Sequence, residues 1–102
     1  MEKYPLAPRD VDGRRITLGA RVRVIGVPDL SRMHESTRRE TNAVFRHIRG
    51  TYKRVEAFDS IGHAELSFII RRGPHRGMHW VAIEPYLLRL AGDRSKQRRR
   101  GP

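Results

Sequence analysis

The chain has no cysteine, no long apolar run and only three lysines among its 102 residues. Without cysteine it has no disulfide, no thiolate metal site and no thiol nucleophile. No stretch approaches the ~18 consecutive apolar residues of a membrane span. The first ten residues lack the apolar segment of a secretory signal. These absences favour a cytoplasmic protein without a membrane partner.

Arginine is what the chain has in excess. Nineteen of the 22 basic residues are arginine, against 11 acidic residues, and the formal net charge is +11. Residues 91–102 carry +4 of this charge and residues 1–90 carry the remaining +7. A surplus of this size attracts polyanions, and the planar guanidinium suits phosphate or carboxylate. Codon bias in a GC-rich genome is the alternative explanation.

Residues 63–90 have the clearest strand pattern. Apolar residues occupy every second position of 64–70, which is the period of a half-buried β-strand. Segment 78–83 repeats the alternation after a Gly-Pro turn at 73–77, and Pro85 ends this second strand because proline cannot donate to a ladder. Phe58, Phe68 and Trp80 are expected in the core, since aromatic residues supply much of the buried area of a small domain.

The first half of the chain is less regular. Asp10 to Gly13 predicts a hairpin corner, followed by a short edge strand over residues 14–17. Residues 21–24, RVRV, predict a strand with arginine outward and valine inward. Residues 26–50 predict a long loop with one or two helical turns that end at Gly50, and residues 51–58 predict a second strand.

This order of elements resembles the SH3-like small β-barrels. The opening RVRV strand, the long first loop and the ending EPYLL at 84–88 carry the resemblance, with KOW-type barrels and the nitrile hydratase β-subunit barrel as the two nearest branches. The fold predicted is therefore mainly β, a single five-stranded SH3-like barrel over residues 10–90. An irregular lead-in over residues 1–9 and a disordered basic tail over 91–102 complete the chain.

Basic and aromatic residues of the loops and of the tail are the candidate site. In a small barrel these loops converge on one rim, where arginines neutralise phosphates and aromatic rings stack on bases. The alternative is an evenly solvated basic surface. The predicted nucleic-acid-binding residues are Arg38, Arg39, Arg46, Arg49, Tyr52, Lys53, Arg54, Arg71, Arg72, Arg76, Trp80, Arg98, Arg99 and Arg100.

Other polar groups give weaker signals. His75 and His79 have a spacing used in metal sites, but a Gly-Pro turn interrupts it, so ordinary surface histidines are the simpler interpretation and no metal is expected. Asp59, Ser60 and His63 lie close in sequence, although two of them are common turn formers. No cofactor and no enzymatic activity are therefore expected.

The sequence leaves two functional hypotheses. The first is a non-enzymatic module that binds nucleic acid, RNA or a ribonucleoprotein surface, because nothing in the chain resembles a helix for the DNA major groove. The second is a protein-interaction module or accessory subunit that docks on an acidic protein partner.

Overall fold

The computed structural model describes residues 4–92, which form six strands, one α-helix and one 3-10 turn. The strands are β1 (Arg21–Val24), β2 (Tyr52–Arg54), β3 (Ala57–Phe58), β4 (Ala64–Ile70), β5 (Gly77–Ile83) and β6 (Leu88–Leu90). Helix α1 spans Glu35–Ile48, and the 3-10 turn spans Pro85–Leu87. The predicted basic tail lies outside the described residues from position 93 onward.

The six strands form two three-stranded antiparallel sheets, in the orders β2–β1–β6 and β3–β4–β5. The prediction of a single five-stranded SH3-like barrel is therefore wrong, and residues 4–92 contain no closed barrel. The periodicity of a strand shows which side chains face inward but not which strands pair, so it could not separate one sheet from two. The fully buried core side chains come from both sheets, and include Val22, Val24, Leu66, Ile83 and Leu88.

The predicted second strand, 51–58, is two strands that belong to different sheets. The chain leaves the first sheet at Val55, whose N–H donates to the Ala20 carbonyl at 3.0 Å. It enters the second sheet one residue later, where the Glu56 N–H donates to the Glu65 carbonyl at 2.9 Å. Val55 is fully buried at this junction. The switch depends on partners distant in sequence, which no local pattern records.

The predicted edge strand over residues 14–17 is also wrong, since only one isolated bridge joins Arg9 to Arg15. The turn before it does form. Asp10, only 4% exposed, accepts the N–H groups of Asp12 and Arg14 at 2.9 Å each. Its other carboxylate oxygen accepts the Leu90 N–H at 2.9 Å, which ties the N-terminal segment to β6.

Helix α1 has 14 residues, more than the one or two turns predicted. Only its last part is apolar, with Val44, Phe45 and Ile48 buried in the core, so the helical period was visible there alone. The preceding part, ESTRRETN, is polar and mostly exposed. Gly50 ends the helical region as predicted, with φ of 85° and its N–H bonded to the Val24 carbonyl.

The prediction of a buried Trp80 is wrong. Phe68 is 9% exposed and Phe58 packs against the core, but Trp80 is 60% exposed. In β5 the core-facing residue is Ile83, with Val81 on the same face, and Trp80 points to the opposite face because neighbouring residues of a strand alternate. The aromatic character of Trp80 suggested burial, whereas its position in the alternation gave the correct side.

Candidate nucleic-acid interface

Arginine side chains cover the outer face of the first sheet. Val22 and Val24 point into the core, so the alternating residues of β1 point outward. The register pairs Arg21 with Arg54 and places Arg23 between Tyr52 on β2 and Arg89 on β6. We call this surface the arginine face, and its members are Arg21, Arg23, Tyr52, Arg54 and Arg89.

The guanidinium of Arg21 stacks on the aromatic member of this face. Its central carbon lies 4.3 Å from the centroid of the Tyr52 ring, within the range of a cation–π contact. Tyr52 is 46% exposed although it lies in a strand. The pair therefore presents flat, partly uncovered groups to solvent, which is the kind of platform on which a nucleobase stacks.

Arg23 and Arg54 are held by backbone carbonyls. Arg23 Nε donates to the Gly50 oxygen at 3.3 Å, and Arg54 donates through one terminal nitrogen to the Gly19 oxygen at 2.9 Å. Each guanidinium keeps further N–H groups for a ligand, because arginine has five donors. Within residues 4–92, no carboxylate lies within 4.0 Å of the guanidinium nitrogens of Arg21, Arg23 or Arg54.

Arg89 differs because it is paired. Its Nε lies 2.9 Å from Oδ2 of Asp12, and both side chains are about half exposed. An ion pair of this exposure contributes little to stability. It does lower the local positive charge, so the unpaired positive charge of the arginine face lies toward β1 and β2.

Lys53 lies on β2 between Tyr52 and Arg54 but faces the other way. Its Nζ sits 5.5 Å from the centroid of the core residue Phe68. Burial lowers the pKa of this ammonium group from its ordinary value, because an apolar environment disfavours the charged form. Lys53 is therefore separated from the arginine face by the thickness of the sheet.

The structure places the remaining predicted residues at three other locations. Helix α1 carries Arg38, Arg39 and Arg46, and Arg49 follows its end. The turn from β4 to β5 carries Arg71, Arg72 and Arg76, and Trp80 lies in β5. Arg98, Arg99 and Arg100 lie outside the described residues. Of the predicted set, the sheet register brings together only Tyr52 and Arg54 on the arginine face.

Three members of the arginine face, Arg21, Arg23 and Arg89, were not among the predicted site residues. The signal for the first two was present, because RVRV alternation places both arginines on one side of a strand. The LRL segment of β6 has the same alternation around Arg89. What the sequence did not show was that these two strands are neighbours.

The polar groups considered for metal binding or catalysis have local structural partners. His79 Nε2 lies 2.6 Å from the His75 carbonyl, and His63 Nδ1 lies 3.2 Å from Asp59 Oδ2. Burial opposes ionisation of Asp59, yet the N–H groups of His63 and Ile61 and the His63 ring keep its pKa below the ordinary value. Residues 4–92 contain no group of three His, Asp or Glu side chains arranged for a metal ion.

Comparison with known protein families, curated proteins and solved structures gives no match for this chain. Membership of the SH3-like superfamily therefore stays a prediction from the sequence. Between residues 4 and 92, no helix is long and apolar enough to cross a membrane.

Proposed function

We propose that this domain binds single-stranded nucleic acid, RNA or a ribonucleoprotein surface, through the arginine face. The observation that carries the proposal is the alignment of Arg21, Arg23 and Arg54 on one sheet face, none of them within 4.0 Å of a described carboxylate, beside the exposed ring of Tyr52. Each of these four residues lies in a regular strand, so the backbone of the arginine face is in place before a ligand binds.

The physical basis is phosphate neutralisation together with stacking. Alternate residues of a strand stand about 7 Å apart and neighbouring strands about 4.8 Å apart, so the guanidinium groups form a small, dense patch. Contacts with phosphates release condensed counterions, which makes binding strong at low salt. The pair of Arg21 and Tyr52 adds a stacking surface that accepts any base. Sequence preference is therefore expected to be small.

Arg23→Ala and Arg54→Ala test the face directly. Each is expected to weaken binding of a short labelled single-stranded RNA and to flatten the plot of log affinity against log salt by about 0.7 for each phosphate that the variant no longer neutralises. Fluorescence anisotropy at several salt concentrations measures both quantities. Arg76→Ala is the matched control, since it removes the same charge from the turn before β5. Equal effects of all three variants would show that diffuse charge binds RNA and that the arginine face does not.

Tyr52→Ala separates stacking from charge. It is expected to lower RNA affinity by about 1–3 kcal/mol with little change in the salt dependence, while Tyr52→Phe retains most of the affinity.

Polyglutamate, which offers carboxylates without bases, distinguishes nucleic-acid binding from the second hypothesis, docking on an acidic protein partner. If it competes with RNA on equal terms and Tyr52→Ala binds normally, an acidic protein surface is the better description of the partner.

A further inference from the structure

Strand β5 forms an unpaired edge of the second sheet. Among residues 4–92 its only strand partner is β4. The carbonyl of Glu65 accepts the Glu56 N–H, so the polar backbone groups of Glu65 point away from β5. Because these groups alternate in an antiparallel ladder, the N–H and C=O of Met78, Trp80 and Ala82 point outward from the free edge. No described backbone group binds them.

A groove of about 500 Å³ lies beside this edge, between β5, helix α1 and the loop before the helix. Its apolar lining includes Leu30, Met33, Val44, Phe45 and Val81. We call it the β5 groove. Soluble proteins usually cover or charge the edges of their sheets, because an open edge is a template for another strand. Here the edge is open and a sheltered apolar surface runs next to it.

The charged residues that line the β5 groove are all acidic. They are Asp29, Glu40 and Glu84; the lining also has two histidines, His63 and His79, which are counted as neutral at pH 7, and no lysine or arginine. Within residues 4–92 none of the three has a cationic partner within 4.0 Å. These carboxylates have the opposite sign to the net charge of the chain, which is +11. The charge of the groove is complementary to a basic ligand, the opposite of what the arginine face selects.

We propose that the β5 groove binds an extended basic peptide segment of another protein, which adds to β5 as a fourth strand. The peptide backbone pairs with Met78, Trp80 and Ala82. Its side chains alternate, so one set enters the apolar groove while basic residues reach the acidic groups at the rim. This site is independent of the arginine face, which lies on the other sheet. The peptide proposal is therefore tested separately from nucleic-acid binding.

The single tryptophan of the chain reports on this site directly. Trp80 lines the β5 groove and is 60% exposed, so a strand added to the edge changes its surroundings. The probe is a capped heptapeptide of alternating valine and arginine, titrated into the full chain while Trp80 emission is followed. We expect saturable binding, and at least a tenfold weaker response when the arginines of the probe are replaced by glutamates. An equal response to both peptides would overturn the proposal.

Two charge variants locate the contact. Glu40→Gln is expected to weaken binding of the arginine peptide about twofold to fivefold, because it removes an exposed carboxylate from the rim. Glu35→Gln is the matched control: the same change on the same helix, at a side chain that faces Arg39 and does not line the β5 groove. Equal effects of the two variants would mean general charge attraction and would contradict the site.

The backbone is tested without altering the protein. In an added strand, alternate peptide N–H groups point toward β5 and the others point away from it. A probe that is N-methylated only on the groups pointing away keeps its hydrogen bonds to β5 and is expected to bind normally. Methylation of the other set removes hydrogen bonds to the edge, and we expect about a tenfold loss. Equal binding of the two probes would exclude strand addition.

Ala82→Pro gives the complementary test on the protein side. The Ala82 N–H points outward, so proline there leaves the pairing with β4 intact while it removes a donor from the edge. We expect weaker peptide binding with an unchanged melting temperature.

Sedimentation of the unmodified chain tests whether a second copy of the chain occupies the edge instead. If the chain forms a dimer and Ala82→Pro makes it dissociate, a second copy fills the edge and the peptide proposal is overturned.

Discussion

Replacing Asp10 with alanine is expected to lower the free energy of unfolding by about 3 kcal/mol. The Asp10 side chain is fully buried and accepts three backbone N–H groups, from Asp12, Arg14 and Leu90, each at 2.9 Å. Alanine leaves those donors unsatisfied and removes the bond to Leu90, so the Val11 N–H on the Leu88 carbonyl remains as the main backbone contact of this segment with β6. Denaturation by urea, followed by circular dichroism, measures the loss.

The control for this change is Asp29→Ala. Asp29 also accepts a backbone N–H two residues ahead, from Ser31 at 3.0 Å, but it is exposed and no distant strand depends on it. Water replaces its carboxylate, so the unfolding midpoint is expected to stay close to that of the unmodified protein. If both variants unfold at the same denaturant concentration, Asp10 does not hold the N-terminal segment in place.

Asp10 also makes stability depend on pH. Burial opposes its ionisation, but the N–H groups of Leu90, Arg14 and Asp12 outweigh burial and hold its pKa below the ordinary value of 3.8. The unfolded chain then takes up a proton at higher pH than the folded one. The stabilisation is complete above the unfolded pKa and is lost as the pH falls through the folded pKa. Asp10→Asn is expected to be less stable at neutral pH and to lose less on acidification than the unmodified protein.

Gly62→Ala is expected to cost about 3–5 kcal/mol, the sum of backbone strain and overlap with a neighbouring segment. Gly62 has φ of 94°, a conformation that side-chain-bearing residues rarely adopt. A β-carbon there would lie 2.5 Å from both the nitrogen and the oxygen of Leu6. Those are backbone atoms, held by the hydrogen bond from the Leu6 N–H to the Ile61 carbonyl at 2.9 Å, so they cannot rotate away.

Gly73 separates the two contributions. Its φ of 93° matches that of Gly62, but no atom lies within 4 Å of the position that a β-carbon would occupy. Gly73→Ala therefore carries the strain without the overlap, and we expect it to cost only about 1–2 kcal/mol. Thermal unfolding of both variants gives the difference. Equal destabilisation would mean that the segment at Leu6 moves aside freely.

The alternation of side chains was the most dependable guide in this sequence. It located β1 and β4 and gave the correct inward faces, with Val22, Val24 and Leu66 fully buried. It also placed Arg21 and Arg23 on one surface. Alternation reports on one strand at a time, however, and the division into two sheets depends on hydrogen bonds between residues far apart in the chain.

The errors have a common physical origin in long-range contacts. The polar first part of α1 has no apolar stripe of its own, so its helical period could not be detected before Val44. The carboxylate of Asp10 was assigned only to a local turn, although it also binds Leu90, 80 residues later. The β5 groove was missed because loop, helix and strand each contribute four residues to it from separate parts of the chain.

The junction at Val55 has a consequence for how the molecule opens. The Val55 amide donates to the first sheet and the Glu56 amide to the second, and the side chain between them is fully enclosed. β2 and β3 are outer strands of their sheets, but Val55 joins them, so an opening of either strand at this point must move a fully buried side chain. We therefore expect the Val55 amide to exchange with solvent deuterium more slowly than the outward-pointing amides of Met78 and Trp80 on the open edge of β5.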